Sequence, residues 1–443
     1  MNASDTISTG KTTAYVISDL HLADGGALDD FHDDDLFARW LGSCDAATTV
    51  LILNGDWLAF EQIAPLAVPD GTPSSLLWTE AYSVEKMHNC MSAHGVFFDA
   101  LAAFHAGGGE IRVTAGNHDI DFVWPGVQRV VAERINASGS DRFSVSAVGT
   151  SFANVWVQHG HQFDKTNSTK DAENFIHVGP DGQEYLERIW GTDFVLEFFN
   201  PLHEELRFAA NVKPQWKMVL EGLKHRWLGW RHFVRVVAFI ARSGIPVTAL
   251  ADVVLSDDQA DAPDLAWLDS FFSDEETAMI IRNAIDELGP EVANELGLEG
   301  LDADLVAALR SEEPIDISLE DFSLPARGPD GAADPVLGLF RDRGEVRGAR
   351  AKVEEGFDHV VLGHTHHMVD GEEIEPGRFL FNPGTWIPHI DLDDPAVAAE
   401  EAAKGMTKEL LNDERFYATK VFAVEITVDA VPKVVSLETF RPE

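Results

Sequence analysis

Cysteine is almost absent from this sequence. Cys44 and Cys90 are the only two in 443 residues and do not form a Cys-x-x-Cys pair, which excludes a disulfide framework and a thiolate metal cage. Lysine is scarce as well: 12 Lys and 21 Arg stand against 75 Asp plus Glu, a formal net charge of −42. A Lys-poor, acidic surface stays hydrated and self-repelling where counterions are abundant, so a high-salt cytoplasm is expected. The same charge disfavours nucleic acid, which needs Lys and Arg against its phosphates. No apolar run reaches the roughly 18 residues of a membrane span. Met1 to Thr13 is polar, with no apolar signal core, so the expectation is a soluble, cytoplasmic protein. With 45% hydrophobic residues the chain has enough to bury a core, and global disorder is excluded.

In the first 160 residues short β-branched or apolar runs alternate with stretches of helical spacing. The runs Thr13 to Ser18, Thr48 to Leu53, Ile111 to Thr114 and Asn154 to Gln158 are strand-length; Asp33 to Leu41 and Tyr82 to His105 repeat apolar residues every three or four positions. Such alternation predicts an α/β layered sheet. From 163 to 345 the texture turns aromatic and helical, with Tyr185 to Phe199, Trp216 to Ile240 and Ala278 to Leu298 as its main helical stretches and a linker-like Pro325 to Pro335. Strand texture returns at His359 to Leu362, Arg378 to Phe381, Thr419 to Thr427 and Lys433 to Leu437. The expected organisation is a core in two parts, 1–162 and 346–443, interrupted by a mostly helical insertion or cap over 163–345.

Within that insertion, Lys213 to Arg242 holds seven bases and one acid, with Trp216, Trp227 and Trp230 interleaved. A local charge of +6 in so acidic a chain fits an amphipathic cap for a phosphorylated or lipid-linked substrate, or a membrane-surface contact. A helix pair whose bases meet acidic neighbours and whose tryptophans are core is the other reading, and the more common one for such a stretch.

Each strand run, up to the one that opens the second half, ends in His, Asp or Asn. Asp19 and His21 follow the first, Asp56 the second, and Asn117, His118 and Asp119 the third; His159, His161 and Asp164 follow the fourth, and His364 and His366 the next. Ligand sites in α/β sheets gather beyond the carboxyl ends of strands, so these residues converge on one rim. Imidazole and carboxylate donors without thiolate suit Mn, with Fe, Zn or Co as alternatives. The donors exceed the needs of one ion. Two ions sharing a carboxylate, roughly 3.5–4 Å apart, make the clamp used for in-line displacement at phosphorus.

Ser18-Asp-Leu-His-Leu22, Gly55-Asp56, Gly116-Asn-His-Asp119, His159-Gly160 and Gly363-His-Thr-His366, in that order, resemble the calcineurin-like metallophosphoesterase superfamily. The resemblance spans roughly residues 12–164 and 346–443. It implies an α/β/β/α sandwich and two divalent metal ions, the first held by Asp19, His21 and His366, the second by Asn117, His159 and His364, with Asp56 between them. It further implies His118 beside the substrate phosphate as the acid for the leaving oxygen, and Asp119 as the group that orients it. His161 is expected near the ligands, and Asn382-Pro-Gly-Thr-Trp386 matches a family loop without a chemical role. Ser-Asp-Leu-His-Leu and His-Gly-x-x-x-Asp, with a basic helical insertion, are most similar to the UDP-2,3-diacylglucosamine diphosphatase-like group. Two positions depart from it: Ala59 stands where an acid is common, and His118 where an Arg is. The expected activity is therefore hydrolysis of a phosphoester or pyrophosphate. A nuclease of the double-strand-break repair type and a non-catalytic scaffold are the alternatives.

Overall fold

The computed structural model describes residues 10–63, 78–164, 167–169, 175–187, 189–203, 206, 212–213, 344–391, 396–397, 399–400, 407–417 and 419–442. The chain is mixed α/β and forms two compact units. The first comprises Met1–Asp193, Arg343–Pro388 and Ala418–Glu443; the second comprises Phe194–Asp342 and His389–Tyr417. The first unit thus runs past the expected cut at 162, and the second takes a piece of the expected 346–443 segment. The helical character expected over 214–343 lies outside the described residues, as does the basic stretch beyond Lys213.

Six strands build the first sheet: β1 (Thr13–Ile17), β2 (Thr49–Asn54), β3 (Glu110–Thr114), β4 (Phe143–Ser146), β14 (Phe422–Thr427) and β15 (Lys433–Ser436), in the order β15-β14-β1-β2-β3-β4. The strands β1 to β4 are parallel, and β14 and β15 add on antiparallel. All six residues of β2 are buried, as a parallel strand covered on both faces requires. The second sheet takes β5 (Thr150–Phe152), β6 (Val155–Val157), β10 (His359–Val361), β11 (Met368–Glu375) and β12 (Arg378–Pro383) in the order β11-β12-β10-β6-β5, with β6, β10 and β12 parallel. Elsewhere β7 (Ile176–Val178) and β8 (Glu184–Leu186) form a hairpin within the stretch expected to be helical. In the second unit β9 (Val212–Lys213) pairs in parallel with β13 (Ile390–Asp391).

Alternate residues of the two sheets meet in one core. Ala14 and Val16 of β1, Val50 and Ile52 of β2, and Val424 and Ile426 of β14 pack with Phe152, Val155, Val157, Val361 and Phe381. On the second sheet lies α5 (Gly344–Glu354), whose Val346, Ala349 and Val353 recur at helical spacing against Val360, Leu362, Ile374 and Leu380. Helices α1 (Asp34–Ser43), α2 (Glu80–Ala93), α3 (Gly95–Ala106) and α4 (Pro125–Arg134) follow strands of the first sheet. Between α1, α3 and the loops after β2 and β12 sits an aromatic cluster in which Phe37 stacks on Phe97 at 3.9 Å, with Phe31, Trp57 and Trp386 around them.

The helix expected over Tyr82 to His105 is broken in two at His94, which leaves helical dihedrals. Its ring is held by two acids: Nε2 lies 2.8 Å from Asp29 and Nδ1 3.0 Å from Asp34. Asp29 also accepts from the backbone N–H groups of Ala23, Gly25 and Phe31, so this triad ties the helix break to the loop after His21. Burial opposes the imidazolium, but the bonds to Asp29 and Asp34 prevail and raise its pKa from 6.5 to about 9. A raised pKa contributes stability that is complete below pH 6.5 and disappears as pH rises through about 9. Urea melts should therefore show the protein losing on the order of 3 kcal/mol across that window. His94→Gln should flatten the profile; an unchanged profile would deny the triad this role.

Candidate metal centre

The candidate donors stand where strands of both sheets end. Asp19 and His21 follow β1, Asp56 follows β2, Asn117 and His118 follow β3, His159 follows β6, and His364 and His366 follow β10. Five of the seven expected ligands, Asp19, His21, Asp56, His364 and His366, have φ between 48° and 70°. Left-handed backbone costs a non-glycine residue about 1–3 kcal/mol and survives only where surrounding contacts enforce it. Here the enforcement is visible. His21 N–H donates to the Asp56 carbonyl, Asp19 N–H to the Gly55 carbonyl, and His364 N–H to both Asp19 carboxylate oxygens at 3.1 Å.

Side-chain donors converge in two trios, Asp19 with His21 and His366, and Asp56 with His159 and His364; within each, ligand atoms lie within 4.8 Å of one another. In the first, the Nε2 atoms of His21 and His366 face each other at 3.0 Å, and His366 Nε2 is 3.4 Å from Asp19 Oδ1. Burial drives the His21 pKa down to about 3, leaving a neutral ring with a lone pair to offer, and raises the Asp19 carboxyl to about 6. At that distance one ring donates to the other, and a cation would take both Nε2 lone pairs and the Asp19 carboxylate once that proton leaves.

In the second trio His159 Nε2 lies 2.9 Å from Asp56 Oδ2, while Nδ1 is 2.9 Å from the Asn54 carbonyl. A carbonyl only accepts, so Nδ1 carries a proton and Nε2 is the nitrogen facing Asp56 and the centre, where a cation would take the place of its proton. Burial opposes charge on His159, yet the carboxylates of Asp56 and Asp19 raise its pKa to about 9. Burial likewise opposes charge on Asp56, but His159 and His118 hold its carboxyl well below the usual range. Asn117, next to His118 in the chain, has a buried Oδ1 with no hydrogen-bond partner among the described residues. The residues present fit divalent ions: buried N and O donors gathered in two trios, with Asn117 Oδ1 unpartnered among the described residues.

His118 packs edge-on against His21 at 4.8 Å, and its backbone N–H donates to Asp56 Oδ1 at 2.8 Å. Its Nδ1 meets the carboxylate of Glu61, a buried acid on the 3-10 turn Phe60–Gln62. Sequence reasoning missed Glu61, although an acid inside the apolar run Trp57 to Ile63 is itself a signal, since a buried carboxylate must find a partner. The Asp119 carboxylate, expected to orient His118, has backbone partners: its Oδ1 accepts from Gly116 N–H and its Oδ2 from Trp57 and Leu58 N–H, so it splices the loops after β2 and β3.

His161 is fully buried beside the rings of His159 and His364, and burial keeps it neutral. Asp164 reaches His364 Nε2 at 3.1 Å. The loop after β12 braces the site from behind: Trp386 N–H and Thr385 Oγ1 donate to the Asp19 carbonyl, and Asn382 Nδ2 donates to the Gly363 carbonyl. Among the described residues no helix is long and apolar enough to cross a membrane. Comparison with models of known protein families and with curated proteins finds no match to this chain.

Proposed function

We propose that this protein is a dinuclear metal-dependent hydrolase of phosphoester or pyrophosphate bonds, built on an α/β/β/α sandwich of the calcineurin-like metallophosphoesterase type. The observation that carries the reading is the pair of His/Asp trios joined by the His364 N–H to Asp19 bonds, with a half-buried His118 against them. The packing of one sheet on the other, with α5 outside the second, supports the sandwich. Asp19, His21 and His366 would hold one ion, Asn117, His159 and His364 the other, and Asp56 both.

Bound there, divalent ions would polarise a phosphoryl oxygen and lower the pKa of a water towards about 7. The remaining work falls to the chain. His118, with Glu61 at Nδ1, presents Nε2 as the acid for the leaving oxygen; burial lowers its pKa, and the Asp56 carboxylate opposes that shift. Asp119, Thr385 and Asn382 hold the loops so that donors from five strands keep their places. A phosphorylated small molecule or lipid-linked substrate fits this chemistry.

The test loads the protein with Mn²⁺ in high salt and measures metal per chain alongside hydrolysis of bis(p-nitrophenyl) phosphate, p-nitrophenyl phosphate, a UDP-sugar and DNA. Two ions per chain and chelator-sensitive turnover of a phosphoester are expected. A chain that takes up no divalent ion overturns the proposal, and turnover confined to DNA moves it to the nuclease alternative.

A further inference from the structure

We infer that Asp164 and Asn167 form a relay that sets which atoms of Asn117 and His364 face the second ion; the inference rests on the dinuclear reading above. Three contacts make the relay. His364 Nε2 lies 3.1 Å from Asp164 Oδ2, Asn167 Nδ2 donates to the same Oδ2 at 2.6 Å, and Asn117 Nδ2 donates to Asn167 Oδ1 at 3.4 Å. The backbone supports it, since Asn167 and Ser168 N–H both donate to the Asp164 carbonyl.

The chemistry of the groups leaves one orientation at each step. An ionised carboxylate only accepts, so both partners of Asp164 Oδ2 must donate. His364 therefore carries its proton on Nε2 and has Nδ1 as its remaining lone pair, the opposite of His159, whose proton is on Nδ1. Asn167 must turn its NH₂ to Asp164, which leaves its carbonyl oxygen for Asn117. Asn117 must then give its NH₂ to Asn167, and its Oδ1, buried and without a hydrogen-bond partner among the described residues, is the atom left for a cation. One carboxylate outside the trio thus fixes a tautomer and two amide orientations. A carboxylate behind a ligating imidazole also raises its basicity, which tightens metal binding.

Room for the relay comes from Gly191, in the one-turn helix Trp190–Phe194. A Cβ there would fall 1.8 Å from Asn167 Oδ1, so even a methyl group displaces the amide. Asp164 and Asn167 are positioning residues in this account, and the readout must be metal binding.

The experiment titrates Mn²⁺ into the full chain and follows metal per chain and the spin coupling of the pair by electron paramagnetic resonance. Asp164→Ala is expected to weaken the second ion by about 10–100-fold, the range seen when a group behind a metal ligand is removed, and to leave the first ion unchanged. Asp164→Asn, which keeps an acceptor but not the charge, should fall between wild type and Asp164→Ala. Asn167→Ala and Gly191→Ala should weaken the same ion, and adding Asn167→Ala to Asp164→Ala should cost less than the two separate effects combined. Retention of the first ion is the folding control. Wild-type affinity for both ions in Asp164→Ala and Asn167→Ala overturns the relay, as does equal loss of both ions, which would mark a merely structural role. A wild-type chain that binds no ion pair removes the dinuclear reading itself, and the relay with it.

Discussion

His118→Ala is expected to lower kcat on a phosphodiester with a poor, alkoxide leaving group by roughly 10²–10⁴-fold, the usual contribution of a positioned proton donor, while the chain still binds two ions. The His118 ring also packs edge-on against His21, but its hydrogen bond to a ligand is the backbone N–H to Asp56, which the substitution keeps. Loss of metal along with activity would show that the side chain supports the ligands rather than the leaving group. Glu61→Gln probes the same step from behind. It removes the carboxylate that faces Nδ1 but retains a hydrogen-bonding group, so kcat should fall with KM and metal content unchanged. If Glu61→Gln is silent while Asp119→Asn lowers kcat and leaves Tm alone, the assignment of the orienting acid reverts to Asp119.

Gly116→Ala is the second large effect, and it comes from a residue with no chemistry of its own. A Cβ on Gly116 would sit 2.1 Å from Asp56 Oδ1 and 2.5 Å from the Asp56 backbone nitrogen. The carboxylate could swing away, but the backbone cannot do so without moving the end of β2. Overpacking of this kind costs about 1–3 kcal/mol of stability. Displacing a reacting group by about 1 Å can cost 10²-fold in rate. Thermal melts and metal analysis of Gly116→Ala should show a lowered Tm, weakened metal binding and at least that loss in kcat. Near-wild-type values in all three would mean that the loops after β2 and β3 are looser than their bonds to Asp119 imply.

Much of the sheet was legible because short β-branched and apolar runs bounded by polar clusters read as strands. β1, β2, β3, β6, β10, β12, β14 and β15 fall on the expected stretches to within a few residues. β4, β5 and β11 were not foreseen. Phe143–Ser146 is short and polar, and Met368–Glu375 carries four acids, so their strand character comes from neighbours' hydrogen bonds rather than from their own pattern. The break at His94 was hidden for a similar reason. Helical spacing continues through it, and only the acids Asp29 and Asp34, sixty or more residues away, hold the ring out of the helix.

At the centre the division is sharper. Sequence order brought the candidate donors to one rim, because strand ends of an α/β sheet gather there, and six of them fall into two trios in the structure. Order alone could not say which carboxylate meets His118, since Asp119 is adjacent in sequence yet is consumed by three backbone N–H groups, while Glu61 arrives from another loop. Nor could it say which nitrogen of His159 or His364 carries the proton, a choice made by Asn54 and Asp164 across the fold. The residue types and their places along the chain determined what could bind; the tertiary structure decided where each proton and lone pair points, because hydrogen-bond partners are chosen by distance in space and not by separation in sequence.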